Sequence, residues 1–95
     1  MYGLIGQMRA QPGQGETLAA LMTAGIGGMP GCRSYVIALD ETDADALWIT
    51  EVWDDQASHD ESLQLPEVQA LIAQARPLFA GFGTRVVTRV LRSIP

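Results

Sequence analysis

Apolar residues occupy both faces of the predicted strands, and this feature constrains the fold more than any other. In the segment 46–53 (ALWITEVW), Leu47 and Ile49 share one face while Trp48 and Val52 share the other. Side chains of a strand point alternately to opposite sides of its sheet. A sheet built from such strands therefore needs an apolar covering layer on each side.

The spacing of apolar residues gives the order of the elements. Period-two alternation predicts strands over 2–10, 32–39, 46–53 and 84–92, with Gly81-Phe82-Gly83 as the turn before the last strand. A period near 3.6 predicts a helix over 16–26 and a second helical region that begins at Asp54 or Asp55 and restarts at Pro66. The order βαββαβ indicates an α+β fold with a four-stranded antiparallel sheet. We expect one domain over residues 1–95.

Two helices cover only one face of a four-stranded sheet. The other face, which is also apolar, needs a partner, and a second copy of the chain can supply it. The pattern therefore predicts a homodimer that associates through its sheet faces.

Charge and composition narrow the class of protein. The formal net charge is −5 and no basic stripe is present, so nucleic acid is not an expected partner. The single cysteine, Cys32, excludes an internal disulfide and fits a reducing compartment. No signal peptide or membrane-spanning run is visible, so we expect a soluble, cytoplasmic protein. With one histidine and no Cys-x-x-Cys, we expect no metal site.

Three motifs at their present spacing resemble the antibiotic biosynthesis monooxygenase (ABM) family. They are Pro30-Gly31-Cys32 leading into Tyr35, then Glu51-Val52-Trp53, then His59 and Leu63 before Pro66. The resemblance covers roughly residues 2–90. It implies a ferredoxin-like monomer, a dimeric α/β barrel and a pocket between sheet and helices in each subunit. It also implies oxidation of a small aromatic phenol, quinol or anthrone by O₂ without a flavin or metal cofactor.

Three residues are candidates for catalysis. His59 is the only histidine, and imidazole is the natural proton acceptor near neutral pH. A half-buried helix histidine bonded to a backbone carbonyl is the alternative, and it stays open. Trp53 matches the family's strand-three tryptophan, which implies that it lines the pocket and holds an aromatic substrate or donates through its indole N–H. A core tryptophan that clamps the sheet to a helix is the alternative interpretation, and both stay open. Glu51 shares its strand face with Trp53, and two interpretations stay open: an ion pair with Arg9, Arg85 or Arg89, or a general base with a raised pKa.

Four further residues are candidates for substrate binding. Tyr35 offers a phenol whose face the sequence does not determine, and Leu63 lies one helical turn beyond His59. Ile49 and Ile72 stand where anthrone-oxidising members carry an asparagine and an arginine, so this chain lacks those polar groups. Gly6 stands where haem-degrading members need an asparagine, so haem degradation is not expected.

Two other classes of function stay open. The same pocket could serve an isomerase or epimerase that transfers protons without O₂. It could also belong to a non-catalytic dimer that binds a small molecule.

Overall fold

The computed structural model describes residues 1–94. Its elements follow the predicted order: β1 (Tyr2–Ala10), α1 (Gly15–Gly25), β2 (Cys32–Leu39), β3 (Ala46–Trp53), α2 (Gln56–Ser62), α3 (Pro66–Ala75) and β4 (Phe79–Arg89). A 3-10 turn, Arg76–Leu78, joins α3 to β4. The predicted strands β1, β2 and β3 are confirmed to the residue, and α1 lies one residue earlier than predicted at both ends.

The four strands form one antiparallel sheet in the order β2-β3-β1-β4. The strand that begins the chain thus lies inside the sheet, beside the strand that ends it. This arrangement confirms the α+β, ferredoxin-like fold. No helix within residues 1–94 has both the length and the apolar character needed to cross a membrane.

The second helical region divides where the sequence predicts. Asp55 caps α2, because its carboxylate accepts a hydrogen bond from the Ser58 backbone N–H at 2.8 Å. Pro66 opens α3, where its missing N–H is not needed. Helix α2 packs closely against the residue that precedes β2, Gly31. Gly31 has φ +79°, and a Cβ at that position would collide with the Ser58 side chain of α2.

The predicted last strand is present, but its predicted bounds were wrong. It spans Phe79–Arg89 rather than residues 84–92, and Gly81-Phe82-Gly83 lies within it instead of forming a turn. Ala10 pairs with Phe79 and Met8 with Phe82, and register shifts accommodate the glycine-rich segment. Pairing with β1 thus overrides the local turn preference of the glycines.

The core lies between the sheet and the helices. One cluster joins Leu18 and Met22 of α1 to Leu47 and Ile49 of β3. A second joins Met29, Trp53 and Val68. No helix within residues 1–94 covers the opposite face of the sheet, and Ile5, Val36 and Val86 are exposed there. The strands thus carry apolar residues on both sides of the sheet. The helices cover one side, and the other side is open in the single chain.

Candidate active site

A cavity of about 330 Å³ lies between the sheet and helices α2 and α3. Its apolar wall is formed by residues of the sheet and of the helices that cover it. These residues are Leu4, Met8, Met22, Ile26, Leu63, Val68, Leu71, Ile72, Ala75 and Phe82. Four side chains add polar groups: Tyr35, Glu51, His59 and Arg85. A recess of about 100 Å³ adjoins it on the sheet, since the two share Leu4, Met8, Tyr35, Glu51, Phe82 and Arg85. The site is thus an apolar chamber with a few polar groups, as small-molecule sites commonly are.

Gly6 helps to open the recess. It lies in the middle of β1, opposite Ile49 of β3 on one side and Arg85 of β4 on the other. A Cβ placed there would meet nothing within 4 Å. The absence of a side chain at this position leaves room over the centre of the sheet.

Glu51 is the buried acid of the site, with only 8% of its surface exposed. Its Oε1 accepts a hydrogen bond from the Trp53 indole Nε1 at 2.9 Å. Strand alternation explains the contact, because residues two apart on β3 point to the same face. Burial raises the pKa of Glu51, and the indole hydrogen bond and the nearby His59 and Arg85 charges oppose that shift without cancelling it.

His59 meets Glu51 from the opposite layer. It lies on α2, is 8% exposed, and its Nε2 is 3.9 Å from Oε1 of Glu51. Its ring contacts Trp53 edge-on at a centroid distance of 5.6 Å and lies 5.5 Å from the Tyr2 ring. The 3.9 Å separation is too long for a hydrogen bond. A hydroxyl oxygen of a ligand would fit between the two groups at about 2.8 Å from each.

Asp60 fixes the other side of the imidazole. Nδ1 of His59 is 3.2 Å from the Asp60 carboxylate, which is largely exposed. When Nδ1 carries the proton and donates it to Asp60, the lone pair of Nε2 is directed toward Glu51 and the cavity. This arrangement suits His59 as a proton acceptor.

Tyr35 faces the cavity from β2, opposite Glu51 of β3. Burial, followed by the charge of Glu51, raises the pKa of the Tyr35 phenol. The phenol therefore remains protonated at neutral pH and can donate a hydrogen bond to a ligand oxygen. The face of Tyr35, which the sequence left open, is thus the helix-covered one.

The predicted ion pair between Glu51 and an arginine does not form within residues 1–94. Arg9 points to the opposite face of β1 and pairs with Asp43 at 2.9 Å. Arg89 lies opposite Tyr2, beyond the cavity. Arg85 lies on the correct face but makes no ion pair with Glu51 within 4.0 Å. The Trp53 indole N–H, rather than an arginine, is the hydrogen-bond partner of the Glu51 carboxylate.

Of the two interpretations left open for Trp53, its position in the structure is that of a core tryptophan. Its side chain is fully buried and lies behind Glu51 and His59 rather than in the cavity wall. Its indole N–H is already donated to Glu51. Trp53 therefore supports the two titratable groups and does not present a surface to a ligand.

The predicted binding residues lie around the same space. Leu63 and Ile72 line the larger cavity, and Ile49 lines the recess. Sequence reasoning did not single out Asp60 or Phe82 for the site. Asp60 was detectable as the neighbour of the sole histidine. Phe82 was hidden by the wrong start of β4. No group of three or more His, Cys, Asp or Glu residues that could hold a metal ion occurs in the described part of the chain.

Comparison with known proteins identifies the family. The model of the antibiotic biosynthesis monooxygenase (ABM) family matches residues 1–74. A crystal structure from Chloroflexus aurantiacus, of a protein named for that family, has 51% identity and a TM-score of 0.93 over 99% of this chain and 96% of its own. The chain belongs to the ABM family. No curated protein matches it.

More distant structures share the fold. A protein from Pseudomonas aeruginosa has 20% identity and a TM-score of 0.82, covering 96% of this chain and 94% of its own. A protein from Mycobacterium tuberculosis has 22% identity and a TM-score of 0.79, covering 99% of this chain and 98% of its own. At this identity the likeness concerns the fold alone.

The raised pKa of Glu51 makes a testable contribution to stability. Because the folded protein favours the neutral acid, it binds this proton more tightly than the unfolded chain does. The contribution of Glu51 to the free energy of unfolding therefore falls as pH rises from the ordinary glutamate pKa through the raised one. In the variant Glu51→Gln, the amide keeps an acceptor for Trp53 and does not titrate. We expect this variant to gain stability relative to wild type between about pH 4 and pH 7.

Urea unfolding of both proteins across that pH range measures the difference directly. The comparison cancels the shared contributions of other carboxylates, such as Asp43, whose pKa its hydrogen bond from Arg9 lowers. A stability difference that stays constant with pH, or that falls, would contradict a raised pKa at Glu51.

Proposed function

We propose that the chain is a monooxygenase that oxidises a small aromatic phenol, quinol or anthrone with O₂, without an organic or metal cofactor. Membership of the ABM family supports a monooxygenase reaction. The observation that carries the proposal is the pair His59 and Glu51, whose Nε2 and Oε1 lie 3.9 Å apart on the wall of an apolar cavity. A cavity of about 330 Å³ is of the size that small-molecule sites have.

In the proposed reaction, Nε2 of His59 accepts the proton of a substrate hydroxyl or of an acidic ring carbon. Glu51 stabilises the imidazolium that forms, and Asp60 holds the ring through Nδ1. The apolar wall excludes water from the resulting anion. Tyr35 can donate a hydrogen bond to the oxygen on which charge develops.

The electron-rich anion then reacts with O₂ at a ring carbon, and the substrate supplies every electron. For an anthrone, the CH₂ carbon first forms a C–O bond to give a hydroperoxide. Loss of water leaves a C=O group, so that one molecule of substrate and one of O₂ give one ketone and one water. The protein contributes positioning, desolvation and a proton acceptor.

Oxygen uptake over a panel of quinols and anthrones tests this proposal, once the absorbance spectrum has shown whether a chromophore is bound. We expect uptake above the autoxidation blank, and a fall of roughly 10²- to 10⁴-fold in kcat for His59→Gln. Glu16→Gln is the control, because Glu16 is exposed on α1, away from both the cavity and the open face of the sheet, and should leave the rate unchanged. Wild-type turnover by both His59→Gln and Trp53→Phe would refute the assigned roles.

The same pair of proton-transfer groups also suits an isomerase, since one group could remove a proton and the other return it. An anaerobic assay separates the two reactions. An isomerase keeps its rate without oxygen and gives a product of unchanged mass, whereas a monooxygenase stops. Saturable binding with no product of either kind would indicate a non-catalytic binding protein.

We also propose that the chain forms a homodimer through the open face of its sheet. Ile5, Val36 and Val86 are exposed there, with 37%, 51% and 44% of their surfaces accessible in the single chain. Ile5 and Val86 are paired neighbours, and Thr50 lies between Ile5 and Val36. Exposed apolar residues grouped on one uncovered face are typical of subunit contacts. No helix of residues 1–94 covers this face, and a second copy offers a surface of the same shape and character.

Light scattering at micromolar concentration should give twice the chain mass of 10.2 kDa. Val36→Asp places a charge in the proposed contact and should shift the mass toward one chain, because an unpaired charge is costly to bury. Ala20→Asp adds the same charge on an exposed position of α1 and should leave the mass unchanged. A wild-type mass of one chain would contradict the dimer.

A further inference from the structure

Arg85 is the part of the cavity wall that the proposed reaction does not use. It lies in β4 on the helix-covered side of the sheet, directly opposite Gly6 of β1. Because Gly6 has no side chain, the β1 position directly opposite Arg85 leaves the recess open there. Arg85 lines both the recess and the larger cavity, together with Glu51 and Tyr35.

The guanidinium of Arg85 has no partner within residues 1–94, since no carboxylate lies within 4.0 Å of it and it makes no hydrogen bond. Arg9 and Arg33, in contrast, each pair with an aspartate. An arginine offers five N–H donors in a planar fork that matches a carboxylate. The fork of Arg85 is thus available to a ligand in the cavity.

The positive charge of Arg85 acts on Glu51 inside the site. It is one of the influences that lower the pKa of Glu51, although burial outweighs it. The chain as a whole carries a net charge of −5, but residues 76–92 contain four of its six arginines and no carboxylate. Of these four, Arg85 is the one that lines the cavity. A ligand with an anionic group would find its complement here rather than elsewhere on the cavity wall.

We propose that Arg85 is a specificity-determining residue that binds the carboxylate of an aromatic acid, with the ring in the apolar cavity and a ring hydroxyl directed to His59 and Glu51. The orientation of the hydroxyl rests on the proposed function. Recognition of the carboxylate does not, because it is a property of binding and requires no turnover.

A matched pair of probes tests the proposal, namely 2,5-dihydroxybenzoate and 2,5-dihydroxybenzamide, which differ in one charged group. We expect isothermal titration calorimetry to show about tenfold tighter binding of the acid by wild type, the effect of one charge-assisted contact. Arg85→Met, which keeps the length but removes the charge, should bring the ratio of the two affinities close to one. It should lower the affinity for the acid far more than that for the amide, whose neutral oxygen makes a weaker hydrogen bond to a guanidinium.

Arg89→Met is the control variant. Arg89 lies on the same strand and the same face, opposite Tyr2, but does not line the cavity. It should retain the wild-type preference for the acid. This comparison separates a specific contact from a general loss of positive charge.

Three binding results would overturn the proposal: equal binding of the two probes by wild type, no binding of the acid at millimolar concentration, or an unchanged preference in Arg85→Met. A change of mass in light scattering for Arg85→Met but not for Arg89→Met would also overturn it, because it would identify Arg85 as a subunit contact. An absence of oxygen uptake would refute the proposed reaction and leave the binding result intact.

Discussion

The hydrogen bond from the Trp53 indole to the Glu51 carboxylate, 2.9 Å long, is the contact on which the site depends. Glu51 lies on the covered face of an apolar sheet, where a polar group without a partner costs a few kcal/mol. The indole satisfies one carboxylate oxygen without adding a full charge. A nearby arginine in direct contact would have held Glu51 ionised and closed the space. With Trp53 as its partner, Glu51 stays buried, keeps a raised pKa and still borders the cavity.

The rest of the site is arranged around this pair. Trp53 also supports the edge of the His59 ring, so one buried side chain positions two titratable groups from different layers. Gly6 has no side chain, so the sheet surface beside these groups is open. Strand β4 contributes Phe82 and Arg85 to the lining of the site. The cavity therefore combines an apolar wall, two proton-transfer groups and a cation. The first two features suit proton removal from a phenol, and the third suits an anionic substituent on the same ring.

Local patterns predicted the fold well because most of its elements carry their own signals. The alternation of β3, the Asp55 cap and Pro66 at the start of α3 each arise from neighbours in sequence. The start of β4 could not be predicted in this way, since Gly81 and Gly83 favour a turn and only pairing with β1 makes the segment a strand.

The contact between Trp53 and Glu51 could be predicted from the sequence, because residues two apart share a strand face. The approach of His59 to Glu51 was not, because it depends on how α2 packs against β3. Strand alternation could also have excluded Arg9 as a partner for Glu51, whereas the place of Arg85 required the register of β4 against β1.

Aromatic ligands should bind on the helix-covered side of the sheet, beside Glu51 and His59, and this is the central claim to test. The two tryptophans give an internal test, since Trp53 lies behind the site and Trp48 lies on the other face with its indole bound to Asp40. Titration with hydroquinone, followed in ¹H–¹⁵N spectra, reads both indoles and the single histidine in one experiment. We expect the resonances of Trp53 and His59 to shift with saturation while that of Trp48 stays in place. A shift of Trp48 with Trp53 and His59 unchanged would place the ligand on the open face and contradict the claim.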